Sequence, residues 1–119
     1  MTGPVVQIFG LRGDQATRAA ERFFKERRVS ISFVDLARKP IAPGELRRFV
    51  DRLGPEALVD RDGRAYRDAG LRYLRMDRDE IVGRLLADQR LLRLPLVRLG
   101  ATCAAGRDES AWKALLAAG

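Results

Sequence analysis

The sequence predicts an α/β chain in which a strand–helix–strand opening and a strand–strand–helix close flank a helical middle. Three observations predict it. First, the apolar run Val5 through Phe9 leads into a two-glycine loop, Gly10-Leu11-Arg12-Gly13. A helical apolar pattern at Ala16, Ala19, Ala20, Phe23 and Phe24 follows. Second, Val29, Ile31 and Phe33 alternate with Ser30, Ser32 and Val34, as a second strand does. Third, helical spacing fills about 40–89, and a β pattern returns at Leu94 through Leu99.

Each element has its own signal. Asp14 is the best start for the first helix, which is predicted to run to about Arg28. A strand–helix–strand opening favours two parallel, neighbouring strands. Pro43 suits the first turn of a second helix, which carries Leu46, Phe49, Val50 and Leu53 on one face and stops at Gly54-Pro55. A short helical piece is predicted over Glu56 to Val59, a turn at Asp60-Arg61-Asp62-Gly63, and a helical turn from Arg64 to Ala69 ending at Gly70. Asp77 with Glu80 three residues on is a capping-box-like start for a helix burying Ile81, Val82, Leu85 and Leu86. Pro95 opens the third strand, Gly100-Ala101 turns, and Thr102 to Ala105 reads as its antiparallel partner. Asp108 caps a last helix with Trp112, Leu115 and Leu116 facing in. Tyr66 and Tyr73, beside Gly70-Leu71, are expected to pack the helical middle onto the strands.

Composition narrows the function classes. The chain has 119 residues, enough for one domain with a modest core, and 46% are hydrophobic against 33% charged. No apolar run nears the roughly 20 residues a membrane helix needs, and no secretory pattern opens the chain. A cytoplasmic location and no membrane partner are therefore expected. There is no histidine, and Cys103 is the sole cysteine. That excludes an internal disulfide, a Cys/His zinc site and histidine-based acid–base catalysis. The net charge is +7, and nearly all basic residues are arginine. Because the arginines alternate with Asp and Glu along every helix, solvated helix faces explain the charge better than nucleic acid does.

The order of elements resembles a thioredoxin-like fold, a βαβ…ββα core with an all-helical insertion lobe, and within it the ArsC family. The resemblance covers about Val5 to Leu116. It rests on Val6-Gln7-Ile8-Phe9 before the loop and on Arg18 in the first helical turn. It also rests on Pro43 through Gly54 as an insertion helix, Ala57-Leu58-Val59 through Gly70-Leu71, Leu91-Leu92-Arg93-Leu94-Pro95-Leu96-Val97, and Gly106 to Trp112. This family includes glutaredoxin-dependent arsenate reductases and Spx-type transcription regulators. It implies one domain, with a core from about 4–37 and 90–119 and an insertion over about 40–89. It also implies a cis peptide bond before Pro95.

The departures bear on function. Family enzymes carry a cysteine at the start of the first helix, and Spx-type members carry Cys-x-x-Cys. By alignment on Arg18, Asp14 and Thr17 take those redox positions, and neither forms a mixed disulfide. Leu94 stands where the reductases have an anion-holding arginine. A second such arginine falls near Asp60, with Arg61 adjacent, and a third corresponds to Arg107 or is absent. No residue is therefore assigned as catalytic. Arg12, Gly13, Asp14, Arg18 and Pro95 are candidates for an anion or peptide site, with Arg61, Arg93, Arg107 and Cys103 as weaker ones. A convergence of Arg12, Arg18, Arg61, Arg93 and Arg107 around the old site would leave room for a small anion. The bland readings stand beside these: Asp14 as a helix cap, the arginines as solvated, and Cys103 and Trp112 as core.

The leading expectation is a non-catalytic protein that binds a protein partner without a cofactor. By analogy with Spx, that partner belongs to the transcription machinery. The alternative is an arsenate reductase-like or glutathione-dependent thiol enzyme using another residue such as Cys103. Nucleic acid is a third, weaker partner.

Overall fold

A computed structural model describes residues 4–118. The contacts divide the chain into two compact units. The first is made by the chain up to Pro40 with the chain from Leu94, and the second is Ile41–Arg93.

In the first unit, β1 (Val5–Gly10), α1 (Gln15–Glu26) and β2 (Ser30–Asp35) form the βαβ opening, with β1 and β2 parallel from Val5↔Ser30 to Gly10↔Asp35. The closing strands β3 (Leu96–Leu99) and β4 (Thr102–Ala105) are antiparallel to each other, and β3 runs antiparallel to β1. The sheet order is β2-β1-β3-β4. Strand alternation puts Val6, Ile8, Val97, Leu99 and Ala104 on one face, where they pack with Ala20, Phe23 and Phe24 of α1 and with Trp112 and Leu115 of the last helix, Glu109–Ala118. Phe23 meets Phe24 edge to face at 5.0 Å, and Trp112 lies 5.4 Å from Phe23. The indole is fully buried, as its apolar spacing predicts.

The second unit is built from α2 (Pro43–Leu53), α3 (Arg64–Asp68) and α4 (Arg78–Ala87), with short 3-10 turns between them and a third, Gln89–Leu91, after α4; the last helix of the chain is α5. Glu45 Oε1 accepts the Ala42 N–H at 3.0 Å, which is half a capping box, since Ala42 has no side-chain oxygen to return. Gly54, at φ 81°, ends α2. Asp77 Oδ1 accepts the Glu80 N–H at 2.8 Å and caps α4. The buried side chains include Leu46, Phe49, Val50, Leu71, Ile81 and Leu85. Asp88 caps the 3-10 turn Gln89–Leu91. Its carboxyl is held below its ordinary range chiefly by the side-chain hydrogen bond from Arg90, at 2.8 Å. No helix among the described residues is long and apolar enough to cross a membrane.

Three expectations need correction. The middle is not helical throughout, because Val59 forms an antiparallel bridge with Leu92, flanked by Asp60 N–H to Leu91 O and Arg93 N–H to Leu58 O, both 2.8 Å. A bridge between two short separated pieces leaves no periodic signal in either. Tyr73 does not pack inward. It is 76% exposed, with the Arg72 guanidinium 4.7 Å from its ring, and Leu71 is the buried member of that turn. The first helix stops at Glu26, not Arg28, in a Schellman arrangement: Val29 N–H donates to Phe24 O and Arg28 N–H to Lys25 O, both at 3.0 Å. The left-handed position, φ 55°, is held by Arg28 where glycine is usual, so no sequence signal marked the stop.

That left-handed arginine is strained by roughly 1–2 kcal/mol. Glycine there relieves the strain but costs roughly 0.5–1 kcal/mol in unfolded-chain entropy. The variant Arg28→Gly is therefore expected to stabilise the chain by a few tenths to about 1 kcal/mol. A urea midpoint that fails to rise would contradict this account of the helix end.

Candidate functional site

The loop between β1 and α1 is shaped by one close contact and one cap. Thr17 is completely buried in the first turn of α1 and is the one buried polar side chain found among the described residues. A Cβ on Gly10 would run into the Thr17 side chain, reaching 3.0 Å from its Cβ and closer to its outer atoms. Glycine at the end of β1 therefore lets the helix start sit against the strand. The Asp14 N–H donates to Leu11 O at 3.0 Å, closing the loop. Asp14 is the N-cap in extended backbone, φ −79° and ψ 126°. Its Oδ2 accepts both the Thr17 N–H at 2.9 Å and the Thr17 hydroxyl at 2.7 Å. A single carboxylate oxygen thus satisfies an orphan helix N–H and a hydroxyl buried beneath it.

The other candidates fall into distinct places. Arg12 turns to β2, with its Nε 4.0 Å from Asp35 Oδ2 and its guanidinium 4.5 Å from the Phe33 ring centre. Gly13 has open space around it. The Leu94–Pro95 bond is cis, as the family resemblance implies, and Pro95 O accepts the Gly106 N–H at 2.9 Å. Because Phe9 pairs with Leu96, Pro95 stands at the level of Gly10, the end of the sheet from which the loop leaves. Arg61 and Arg93 are exposed residues of the second unit.

Arg18 and Arg107 do come together. With Gln15, Ala19 and Arg22 they line an open cleft of about 250 Å³ between one side of α1 and the turn before α5. Arg22 was missed by the sequence reading, although its spacing of four from Arg18 places both on one side of the helix. A larger cleft of about 430 Å³ in the second unit is lined by Asp60, Gly63, Arg64, Ala65, Asp68 and Arg90, and so carries both signs of charge. Arg64 is paired there with Asp68 at 3.5 Å.

Cys103 lies elsewhere. It sits on β4 opposite Arg98, which is opposite Gln7, whereas Ala105 and Leu96 share the level of Phe9. The cysteine is thus two strands across from β1 and two residues further from the loop end, a displacement of roughly 7 Å along the strand. Arg98 is engaged by Gln7 Oε1 at 3.0 Å and Gly100 O at 2.8 Å.

Two outcomes follow for this loop. Removing the cap in Asp14→Ala is expected to cost about 0.5–2 kcal/mol, and Asp14→Asn clearly less; equal losses in chemical denaturation would refute the cap. Gly10→Ala is expected to cost about 1–3 kcal/mol by overpacking. Thr17→Ala in the same chain should recover part of that loss, which a double-mutant cycle would read as a coupling.

Comparison with known proteins places this geometry. Among curated proteins no sequence matches. Solved structures do match in fold. The chain superposes on the YFFB protein with a TM-score of 0.84 at 21% identity, covering 93% of this chain and 98% of that one. It superposes on the arsenate reductase from Vibrio cholerae with a TM-score of 0.82 at 16% identity, covering 94% and 98%. For a possible arsenate reductase from Streptococcus mutans UA159 the values are 0.77, 18%, 95% and 98%. These likenesses establish the α/β, thioredoxin-like architecture. The model of the ArsC family matches residues 14–115, nearly the whole chain, and the chain belongs to the ArsC family.

Proposed function

We propose that this ArsC-family chain acts by binding a protein partner and performs no thiol chemistry at the start of α1. The observation that carries the reading is the Asp14 carboxylate, whose Oδ2 is occupied by two donors from Thr17. A thiolate works at a helix N-terminus because the site lowers its pKa, to about 3.5–7.5 in known cases, and keeps it nucleophilic. A carboxylate in that place takes no part in redox chemistry and forms no mixed disulfide. Its affinity for the helix N-terminus is used to cap the helix.

The neighbouring residues support the same reading. Leu94 is apolar where the family's reductases have an arginine, and Arg12 is engaged with Asp35 and Phe33. The thiol-based alternative needs Cys103, which β-sheet register sets two strands from β1 and away from the loop. Spx-type relatives bind RNA polymerase, so transcription machinery is the first class of partner to examine.

A coupled glutaredoxin–arsenate assay tests the reading. The natural chain is expected to show no turnover, and Cys103→Ser to leave that result unchanged. In Asp14→Cys the new thiol is expected to react with iodoacetamide at neutral pH faster than Cys103 does, because it sits at a helix N-terminus. Arsenate turnover by the natural chain would overturn the proposal, and its loss in Cys103→Ser would assign the chemistry to that thiol.

A further inference from the structure

Arg18, Arg22 and Arg107 come from two separate elements, yet all three face one cleft whose lining holds no carboxylate. Many other arginines of the chain are engaged: Arg12 with Asp35, Arg64 with Asp68, Arg78 with Asp51, Arg90 with Asp88, and Arg98 with Gln7. The guanidiniums of these three have no hydrogen-bond or ion-pair partner among the described residues. All three are exposed. Like charges gathered without a counter-charge repel one another, and an anionic partner relieves that repulsion.

We infer that this cleft is the docking surface for the protein partner, and that the partner offers an acidic helical segment with carboxylates one turn apart. The inference rests on the partner-binding reading above and names its surface. Arg18 and Arg22 are four residues apart on α1, so their Cα atoms are separated by about 6 Å along the axis. Carboxylates four residues apart on a partner helix repeat at the same distance, and each presents the planar pair of oxygens that a guanidinium takes bidentately. Arg107 adds a third donor from the turn before α5. A small enclosed oxyanion fits less well. The cleft is open, and the Arg18 N–H is already spent on Asp14 O at 3.0 Å, leaving side chains to do the binding. A nucleic acid also fits less well. Glu21 precedes Arg22, and exposed Asp108 and Glu109 follow Arg107, so the positive stripe is too short for a run of phosphates.

The test is fluorescence anisotropy on the intact chain. The probe is a labelled synthetic helical peptide with glutamates at every fourth position. Its control has the same composition with the glutamates clustered at one end. The spaced peptide is expected to bind more tightly and to weaken with added salt. Arg18→Gln, Arg22→Gln and Arg107→Gln are each expected to weaken it about two- to five-fold, the range of single exposed ion pairs. Arg47→Gln, which removes an exposed arginine of the second unit, is expected to change nothing. Equal binding of the two peptides, an equal loss in Arg47→Gln, or tighter binding of a 20-base-pair DNA duplex through the same three arginines would overturn the inference. Those outcomes leave the partner-binding reading standing, whereas arsenate turnover would remove that reading without touching the peptide result.

Discussion

The contact of Thr17 with Gly10, locked by the Asp14 carboxylate, is the constraint on which the first unit depends. A buried hydroxyl is costly unless it finds a partner, and this one finds it in the residue that also caps the helix. The glycine lets the helix start lie against the end of β1. The cap then fixes where the helix begins, and with that start fixed, Ala20, Phe23 and Phe24 come to the sheet in phase with Val6, Ile8 and Val97. The same cap occupies the point where the fold offers a partial positive charge. One residue therefore settles both the packing of the helix and the electrostatics of the loop end.

The start of α1 offers the partial positive charge of a helix N-terminus, and here a carboxylate occupies it. A carboxylate answers the helix dipole as a thiolate would. The two differ in chemistry, since both are anions and only the thiolate is a redox-active nucleophile. Basic side chains gather a few residues along α1, on the side carrying Arg18 and Arg22 and facing Arg107. Recognition of the proposed acidic partner there would rely on side chains, whereas a helix start offers backbone N–H groups. Flexible guanidiniums in an open cleft suit an extended acidic surface.

The second unit is organised by local rules. Pro43 and Glu45 start one helix, Gly54 ends it, and Asp77 starts another. Its one long-range backbone feature is the short pairing of 58–60 with 91–93. Its ion pairs, Arg64–Asp68, Arg78–Asp51 and Arg90–Asp88, are exposed and worth little each in stability. The net charge of +7 is spread along the chain, and what distinguishes Arg18, Arg22 and Arg107 is that they share one cleft.

The sequence by itself determined the order of elements, the parallel opening, the antiparallel close and the core positions. Those rest on periodicity, on Asp and Pro at helix starts and on Gly at turns, which act within a few residues. Asp14 as a cap was legible for the same reason, since an acceptor beside its own helix needs no distant partner. Tertiary structure decided the rest. The end of α1 escaped notice because Arg28 holds a left-handed position that normally announces itself as glycine. The bridge between Val59 and Leu92 was invisible because a pairing across more than thirty residues leaves no mark on either piece. Arg12 and Arg107 looked alike in the sequence. One was drawn to Asp35 and Phe33 on β2, and the other was carried by the turn before α5 to the side of α1 that bears Arg18 and Arg22. A side chain's partner is set by which elements the fold brings within its reach, and that distance is not written in linear spacing.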